Sequence, residues 1–479
     1  MTDWPGGMTR EPWRHQQAAY DFLGGKWFEG ETGVALFSDM GTGKSLVALA
    51  LWKAYGFRRV LIVSGTKAMV QEWADMARDE AALPVVPLTG PVPKRADTLA
   101  MRYDGPDATL GFVTNVESYW REPLSSAILT RHWDCVIFDE SQKIKSPGSR
   151  ASRFAFRLGL QTPYRLIMTG TPMHDKPLDV YGQYRFINPL IFGTSYNRFR
   201  SRYADLFQIK PGIFKVTGYK NEDELNAKIY DVAFRVDDDV LDLPPVHHIE
   251  RRVQLGKEAR GHYQRLKDDF VTTIQGMGIL IASNALSKLL RLQQITSGIL
   301  AYTDDETDEQ ATTVIDRAKY ESLVDLLDEL PDSEPVVVFG RFSHDLKNVK
   351  AAAEATGRAY FEQSGQRAQW QLWREDQTGA VLGVQSQSGN AGINLTRARY
   401  AVFLSYTFSY GDYRQAFKRL NRPGQRETLF VYHINADQTV DGYIRRTLAT
   451  KQSITTELLL RDFDNGNRQG RFLPIAAAV

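Results

Sequence analysis

A loop of phosphate-binding residue types lies near the start of the 479-residue chain and reads Ser-Asp-Met-Gly-Thr-Gly-Lys-Ser. Its glycines let successive backbone N–H groups turn toward a phosphate, Lys44 can reach the β- and γ-phosphates of a nucleotide, and Ser45 can ligate Mg²⁺. The strict pattern for such a loop has glycine where this chain has Ser38. The residues that we assign to a bound nucleotide here are Asp39, Met40, Gly41, Thr42, Gly43, Lys44 and Ser45.

Two adjacent carboxylates, Asp139 and Glu140, follow the apolar run 136–138. An Asp-Glu pair alone is a weak signal, because it is common in the first turn of a helix. An Asp-Glu pair that follows a buried strand, downstream of a phosphate-binding loop, is a strong signal for such a site. Asp139 could hold Mg²⁺ through water and Glu140 could polarise an attacking water. Together with Ser45 as a second metal ligand, the pair predicts Mg²⁺-dependent hydrolysis of a nucleoside triphosphate.

The elements that must position these residues are short apolar runs bounded by turn residues. Such runs predict buried parallel strands, and helical stretches such as 46–52 and 320–330 lie between them, so the fold class is α/β. The runs fall into two groups, which predicts two α/β lobes and a mainly helical middle, with boundaries at 1–190, 191–310 and 311–479. The eight runs are 34–37, 60–63, 136–138, 166–168, 336–339, 381–384, 401–404 and 429–432.

The composition is that of a globular protein, with 43% hydrophobic and 24% charged residues and a net charge of +2. The single cysteine, Cys135, cannot form an internal disulfide, which favours a reducing compartment. No apolar run reaches the roughly 18 residues of a membrane span, and the N-terminus does not resemble a signal peptide. We therefore expect a cytoplasmic protein that is not secreted.

Charge is distributed unevenly along the chain. Residues 141–174 contain six basic residues and no acid, while 185–220 and 397–426 each contain seven basic residues and one acid. Residues 304–334 hold twelve acids against two bases, and the run 304–309 is interpreted as a linker. A single basic stretch is more often a solvated helix face than a binding site. Three stretches on one chain favour a polyanionic partner.

The chain resembles superfamily 2 helicases, and within them the Swi/Snf-related ATPases that translocate on double-stranded DNA. The likeness runs nearly end to end, although Gln142 stands where the family more often has His, Phe408-Ser409-Tyr410 replaces an aromatic-Asn-Pro turn, and Pro423 stands where Ile is more usual. It implies two RecA-like lobes in tandem. The segments that carry the resemblance are Pro12-Trp13-Arg14-His15-Gln16, Asp139 to Lys145, Thr169-Gly170-Thr171-Pro172, Ser388 to Thr396 and Gln415 to Gln425.

The resemblance also implies roles for individual residues. Gln16 would read the adenine edge, and Arg419 and Arg422 would act as arginine fingers that stabilise charge on the γ-phosphate. Gln415 would join the catalytic set, and Gly392 and Asn394 the nucleotide site. Further residues would contact the DNA backbone without sequence preference. These expected DNA contacts are Lys143, Lys145, Thr169, Ser388, Arg397 and Phe408.

The leading hypothesis is an ATP-dependent DNA translocase or helicase that uses ATP and Mg²⁺ on double-stranded or branched DNA. Because the chain is close to the minimum for two lobes, we expect a bacterial or viral role in replication, recombination or repair. One alternative is a strand-separating or branch-migrating helicase of forked DNA, whose wedge no motif would mark. Another, from a different class, is a non-hydrolysing DNA-binding scaffold gated by ATP. The pair His247-His248 lacks a third metal ligand at suitable spacing and is interpreted as a solvated loop.

Overall fold

The computed structural model describes residues 3–39, 41–105, 109–173, 176–210, 212–236, 240–276, 282–303, 310–386, 393–450 and 454. The chain divides into two compact units, Met1–Asp242 and Leu243–Val479. The predicted joint at Pro244-Pro245 follows this division directly, whereas the acidic run 304–309 lies outside the described residues. In the described part, no helix is long and apolar enough to cross a membrane.

The first unit is built on a parallel sheet of seven strands. The strands of the whole unit are β1 (Gly33–Ser38), β2 (Arg59–Ser64), β3 (Val85–Pro87), β4 (Leu110–Asn115), β5 (Cys135–Asp139), β6 (Tyr164–Thr169), β7 (Ala204–Lys210), β8 (Ile213–Tyr219) and β9 (Ala233–Val236). The sheet order is β3-β4-β2-β5-β6-β1-β9. Strands β7 and β8 form a separate antiparallel hairpin. In this sheet β1 and β5 are both neighbours of β6, which brings their carboxyl ends to one edge.

Helices cover both faces of this sheet. They are α1 (Arg14–Phe28), α2 (Lys44–Tyr55), α3 (Ala68–Ala81), α4 (Val92–Tyr103), α5 (Leu124–Leu129), α6 (Arg150–Gly159), α7 (Val180–Ile187), α8 (Pro189–Phe192), α9 (Tyr196–Tyr203) and α10 (Glu222–Asp231), with 3-10 turns at Ser141–Ile144 and Pro177–Asp179. Strand β1 is buried throughout. Its Val34 and Leu36 side chains pack with α1, α2 and α3, while Ala35 and Phe37 pack with α4 to α7. A strand buried on both faces needs a continuous apolar sequence, as β1 has.

The second unit contains a parallel sheet of six strands and a small antiparallel hairpin. Its strands are β10 (Val246–Val253), β11 (Ile299–Thr303), β12 (Gln310–Val314), β13 (Val336–Gly340), β14 (Tyr360–Gln363), β15 (Val381–Gln385), β16 (Tyr400–Phe403) and β17 (Leu429–Ala436). Its helices are α11 (Lys257–Gly276), α12 (Ala282–Thr296), α13 (Ala318–Glu329), α14 (Ser343–Ala355), α15 (Trp370–Glu375), α16 (Tyr410–Phe417) and α17 (Val440–Ala449). The order of the large sheet is β10-β17-β16-β13-β15-β14, and β11 pairs with β12.

The predicted fold class is confirmed, because each unit has a parallel sheet flanked by helices. All eight predicted strands occur, in β1, β2, β5, β6, β13, β15, β16 and β17. The predicted middle region, 191–310, contributes to both units and contains α9 to α12 together with β7 to β11. The interpretation of His247-His248 as a loop was wrong, because both residues lie in β10, an edge strand whose alternating polar residues hide it from an apolar-run search.

Candidate nucleotide site and nucleic-acid interface

The phosphate-binding loop connects the buried strand β1 to helix α2. Gly43 precedes the first helical residue, Lys44, and has a φ of +81°, in the left-handed region that favours glycine. A Cβ at Gly43 would also lie 2.1 Å from Gln16 Nε2, so a side chain at this position would displace the end of Gln16. The hydroxyl of Thr42 donates to the Asp39 carbonyl at 2.7 Å and contacts the hydroxyl of Ser38. Met40 lies outside the described residues.

Gln16 joins helix α1 to this loop. Its Nε2 donates to the Thr42 carbonyl at 2.9 Å, and its Oε1 accepts from the Trp13 backbone N–H at 2.9 Å. His15 Nε2 lies 2.8 Å from the same Thr42 carbonyl oxygen. A glutamine amide has two hydrogens and two acceptor lone pairs. Gln16 is buried, and these two bonds leave it one hydrogen and one lone pair.

The two predicted carboxylates lie at the carboxyl end of β5, next to the loop. Lys44 Nζ is 3.6 Å from Glu140 Oε1, and both side chains are about nine-tenths buried. Asp139 accepts hydrogen bonds from Trp73 Nε1 and from the Glu140 backbone N–H, each at 3.0 Å. Burial raises the pKa of Asp139, the positive charge of Lys44 opposes this, and Glu140 raises it further. The structure thus brings Lys44, Asp139 and Glu140 together, as the sequence predicted.

Glu140 has a strained backbone for a residue with a side chain, with a φ of +57°. The conformation is accommodated by Gly65, which follows β2, because a Cβ at Gly65 would lie 2.7 Å from the Glu140 Cβ. Strain of this kind costs about 1–3 kcal/mol and is commonly found at functional sites. The backbone turn separates Glu140 from the strand and directs its carboxylate to Lys44.

Gln142 belongs to this site, although no role could be predicted for it from the sequence. Its Nε2 donates to Glu140 Oε2 at 2.6 Å, and its Oε1 accepts from the Thr169 hydroxyl at 2.7 Å. The Thr169 hydroxyl in turn accepts from the backbone N–H of Thr171 at 3.0 Å. These contacts link the Glu140 carboxylate to the 169–172 loop. The departure from His at position 142 was visible in the sequence, but its partners were not.

The residues present fit ATP and a magnesium ion. Lys44 and the first N–H groups of α2 suit phosphates. The Ser45 hydroxyl and the Asp139 carboxylate are hard oxygen donors of the kind that Mg²⁺ prefers. Ser45 is half-buried in the first turn of α2, and Asp139 is buried at the end of β5.

The predicted nucleotide residues of the second unit lie around helix α16. The Leu395 backbone N–H donates to the Arg419 carbonyl at 3.0 Å, which joins the loop containing Asn394 to the segment after α16. Asn394 Oδ1 accepts from both the backbone N–H and the hydroxyl of Thr396. Arg419 is buried, whereas Gln415 and Arg422 are half-buried. Gly392 lies outside the described residues, as does the predicted DNA contact Ser388.

Five predicted DNA contacts lie in the described part of the chain, and among them only Lys143 is exposed. Thr169 is buried in the contacts already given. Lys145 Nζ lies 3.3 Å from the buried carboxylate of Asp179. Arg397 donates to the carbonyls of Trp373 and Thr378, and the Arg341 guanidinium stacks 4.0 Å above the ring of Phe408. These four side chains therefore have internal partners in this structure.

Most of the basic side chains in the third basic stretch, 397–426, are paired or buried within the fold. Arg399 donates two hydrogen bonds to Glu334, at 3.1 and 2.8 Å, and Lys418 and Arg419 are buried. Arg426 is the exposed cation of this stretch. Counting charges along the sequence overestimated the free positive charge here, because it could not see the carboxylates and carbonyls that fold against the arginines.

The first basic stretch, by contrast, forms an exposed row on α6. Arg150, Arg153 and Arg157 are all exposed, and their spacing of three and four residues puts them on one helix face. Arg150 and Arg121 both lie over the Trp120 ring, at 5.6 and 5.1 Å from its centroid. Within the described part of the chain, no ion pair joins these four arginines to a carboxylate. We call Arg150, Arg153 and Arg157 the α6 arginine row.

Residues 15–298, more than half of the chain, match the family model described as the SNF2-related domain. The chain belongs to the SNF2-related family. The resemblance found in the sequence is thereby confirmed. With its phosphate-binding loop and Asp-Glu pair assembled, this SNF2-related chain is a helicase-type ATP hydrolase.

Similar proteins come from viruses, bacteria and animals. Protein p41 of Acyrthosiphon pisum secondary endosymbiont phage 1 is 26% identical over 348 residues, which cover 68% of this chain and 71% of p41. A SWI/SNF-related regulator of chromatin, subfamily A-like protein 1 homolog, from Caenorhabditis elegans is 23% identical, over 89% of this chain and 59% of its own length. An uncharacterized ATP-dependent helicase of Mycoplasma pneumoniae is 22% identical, over 70% of this chain and 31% of its own.

Among solved structures, the Sulfolobus solfataricus SWI2/SNF2 ATPase core in complex with dsDNA is similar to this chain. Its sequence identity is 20%, the match covers 99% of both chains, and the TM-score is 0.45. The chain thus spans most of the phage protein and of this core, but only 59% and 31% of the nematode and Mycoplasma relatives.

Proposed function

We propose that this SNF2-related chain couples ATP hydrolysis to movement along DNA or to remodelling of DNA. The observation that carries the proposal is the continuous set of contacts from Lys44 through Glu140 and Gln142 to Thr169. A motor needs its hydrolysis site to be connected to a part of the protein that can respond. The hydrogen-bonded link to the 169–172 loop supplies such a connection within the first unit.

In the proposed reaction, Lys44 binds the β- and γ-phosphates and Glu140 polarises the attacking water. Glu140 must exchange its present contact with Lys44 for one with water, since Lys44 turns to phosphate when ATP binds. Ser45 and Asp139 would hold Mg²⁺, which neutralises charge on the phosphates when bound. Gln16 would use its remaining amide hydrogen and lone pair to read adenine. Arg419 and Arg422 would stabilise the developing charge, an effect worth roughly 10³ to 10⁵ in rate for arginine fingers.

DNA is the proposed partner, contacted mainly through its phosphates. The α6 arginine row supports this, because three exposed cations that form no salt bridge within the described residues suit a polyanion and give affinity without sequence preference. The Sulfolobus relative is an ATPase core in complex with dsDNA, which favours duplex DNA for this chain also. Relatives in a phage and in Mycoplasma favour a role in bacterial or viral replication, recombination or repair. A scaffold that binds ATP without hydrolysing it would have no use for Glu140 held beside Lys44.

An ATPase assay with different nucleic acids tests the proposal. Turnover is measured with single-stranded, duplex, forked and four-way DNA and with RNA. We expect DNA to raise turnover at least tenfold, and we expect Lys44→Ala and Glu140→Gln to abolish it. Glu140→Gln should still bind ATP, because the amide keeps the size of the carboxylate but not its basicity. The matched controls are Lys94→Ala and Glu258→Gln, two exposed residues outside the site. Turnover that no nucleic acid changes would contradict the proposal.

A further inference from the structure

Helix α7 carries a buried side-chain amide, that of Gln183, which has no place in the nucleotide site described above. Gln183 shares one face of the helix with Val180 and Ile187, and all three side chains are fully buried. Burying an amide costs free energy unless the amide is hydrogen-bonded. A leucine would fill the same space without that cost. The position of Gln183 therefore indicates a requirement for its hydrogen bonds.

The Gln183 amide bonds to two separate segments of the first unit. Its Oε1 accepts from the Ser141 hydroxyl at 2.7 Å. Its Nε2 donates to the Pro172 carbonyl at 2.8 Å and to the Asp179 carbonyl at 3.0 Å. A rotated amide would place its oxygen against two carbonyl oxygens, so only one orientation of the amide satisfies all three partners. Both hydrogens of the amide are used in these bonds.

The backbone of α7 also packs directly on the 3-10 turn that Ser141 begins. A Cβ at Gly182 would lie 2.3 Å from the Ile144 carbonyl oxygen and 2.7 Å from that of Lys145. Glycine at this position lets the helix and the turn approach each other closely. Lys145 Nζ lies 3.3 Å from the carboxylate of Asp179, just before α7. The turn is therefore fixed to α7 at its start and at its end.

Two glutamine amides thus bridge the same two segments. Gln142 joins Glu140 to Thr169. Gln183 joins the residue after Glu140 to the last residue of the 169–172 loop. An amide can bridge two groups only while their separation suits two hydrogen bonds at once. Because Gln183 is anchored on a helix, its bridge sets the separation that Gln142 must span.

We propose that Gln183 is a positioning residue for ATP hydrolysis, which keeps the turn after Glu140 and the 169–172 loop at the separation that Gln142 needs. The inference rests on the role proposed for Glu140 and deepens it, because it makes the orientation of that carboxylate depend on α7. A misplacement of about 1 Å can cost about 10²-fold in rate. Loss of the bridge should therefore lower the turnover number. ATP binding should change little, since none of the three partners of Gln183 is assigned to the phosphates or to adenine.

The test is a double-mutant cycle, measured as steady-state ATPase kinetics of the full chain at saturating duplex DNA. The variants are Gln183→Leu, Gln142→Ala and the two changes together. We expect Gln183→Leu to lower the turnover number about tenfold and to change the KM for ATP less than about threefold. The double variant should lie within about threefold of Gln142→Ala alone, because the bridge acts through Gln142. The matched control Gln161→Leu, at an exposed position after α6, should leave the turnover number unchanged.

The variant Ser141→Ala separates positioning from a general loss of stability. It removes one hydroxyl and leaves α7 intact, and it should lower the turnover number in the same direction as Gln183→Leu. Urea unfolding measures the stability of each variant. Combining Ser141→Ala with Gln183→Leu should recover part of the stability lost in Gln183→Leu, because the unpaired hydroxyl is gone. The turnover number should stay low in that combination, and a turnover number that recovers with stability would assign Gln183 to the support of the fold alone.

Three further results would overturn the inference. They are an unchanged turnover number in Gln183→Leu, a loss in the double variant equal to the product of the two single losses, and a Gln142→Ala variant that is fully active while Gln183→Leu is slow. These results leave the proposed function standing. Full turnover in Glu140→Gln would remove the role of Glu140 and this inference with it. Turnover that ignores DNA would contradict the proposed function but not the role of Gln183.

Discussion

The side-chain amide of Gln142 holds the Glu140 carboxylate at 2.6 Å through its nitrogen. Its oxygen accepts from Thr169 at 2.7 Å, so the polarity of the amide is fixed at both ends. A hydrogen bond to a charged group contributes about 1.5–3 kcal/mol. Glu140 is thus oriented by a neutral donor whose protonation does not change with pH.

Replacing Gln142 with alanine should lower the turnover number about 10- to 100-fold, because the Glu140 carboxylate loses its orienting donor. The KM for ATP should change less than about threefold, since the side-chain hydrogen bonds of Gln142 go to Glu140 and Thr169 and not to a residue assigned to the phosphates or to adenine. Steady-state kinetics at saturating DNA measures both. Equal losses in turnover and in ATP affinity would indicate damage to the whole site and contradict a positioning role.

The variant Gln142→His provides a sharper measurement. An imidazole next to a carboxylate titrates above its ordinary pKa of about 6.5. The turnover number should therefore gain a titration between about pH 6 and 8 that the unmodified chain lacks. A pH profile from 6 to 9 for both proteins makes the comparison, and identical profiles would argue against contact between residue 142 and Glu140.

Gln16→Ala should weaken discrimination for adenine. The remaining hydrogen and lone pair of the Gln16 amide match an acceptor and a donor on the adenine edge, and losing them should raise the KM for ATP about tenfold relative to that for UTP. Because Gln16 also bonds to Thr42, turnover should fall with all nucleotides. Kinetics with ATP, GTP and UTP separates the two effects, and an unchanged preference for ATP would remove Gln16 from base recognition.

Neutralising the α6 arginine row should weaken DNA binding and should make the affinity for DNA less dependent on the salt concentration. Each phosphate contact contributes about 0.9 to the slope of log affinity against log salt. Changing Arg150, Arg153 and Arg157 to Gln should therefore reduce that slope by up to about 3, while the triple change to Lys should keep it. Fluorescence anisotropy between 50 and 200 mM salt measures the slope. A slope unaffected by the Gln changes would place the DNA elsewhere.

The second unit should lose stability in mild acid because of His433. Burial lowers the pKa of His433 well below its ordinary value, and the charge of Arg445 and the ring of His248 lower it further. Its ring bonds to His248 and to the Tyr406 hydroxyl at 3.0 and 3.1 Å. Because the pKa of His433 is lower in the folded chain than in the unfolded chain, its contribution to the free energy of unfolding is fully present above about pH 6.5. This contribution is lost as the pH falls below that value, by up to about 1.4 kcal/mol per pH unit for one proton.

Urea unfolding at pH 7.5 and 5.5 checks this expectation. His433→Gln removes the titrating group, so its free energy of unfolding should depend less on pH, although the variant is less stable at pH 7.5. His248→Gln serves as the matched control for the partner ring, whose pKa is also lowered by burial. The same pH dependence in His433→Gln as in the unmodified chain would contradict the assignment.

The sequence located the motifs that directly follow a buried apolar strand. The phosphate-binding loop and the Asp-Glu pair each follow a strand that is buried on both faces, so apolar runs located them. Five strands of the two large sheets, β3, β4, β9, β10 and β14, were not predicted. Strands β3, β9 and β14 have only three or four residues, β10 is a polar edge strand, and β4 has Gly111, Thr114 and Asn115 among its six buried residues. Short strands and edges carry too little apolar sequence to stand out.

Partners distant in the sequence could not be predicted. Arg397 looked like a free cation, yet it folds against the carbonyls of Trp373 and Thr378. Gln142 looked like a departure from a motif, yet it links two motifs 27 residues apart. Such contacts depend on how strands register in the sheet, and a single sequence does not contain that information in readable form.

The burial of Cys135 in β5 has a practical consequence for attaching dyes to this chain. Burial raises the pKa of its thiol well above the ordinary value, and only thiolates react readily with maleimides. Since the chain has no other cysteine, Leu190→Cys and Leu372→Cys, at exposed positions in the first and second units, would create the only readily labelled thiols. A donor and an acceptor dye at these positions would report by energy transfer whether the distance between the two labelled residues changes when ATP is added.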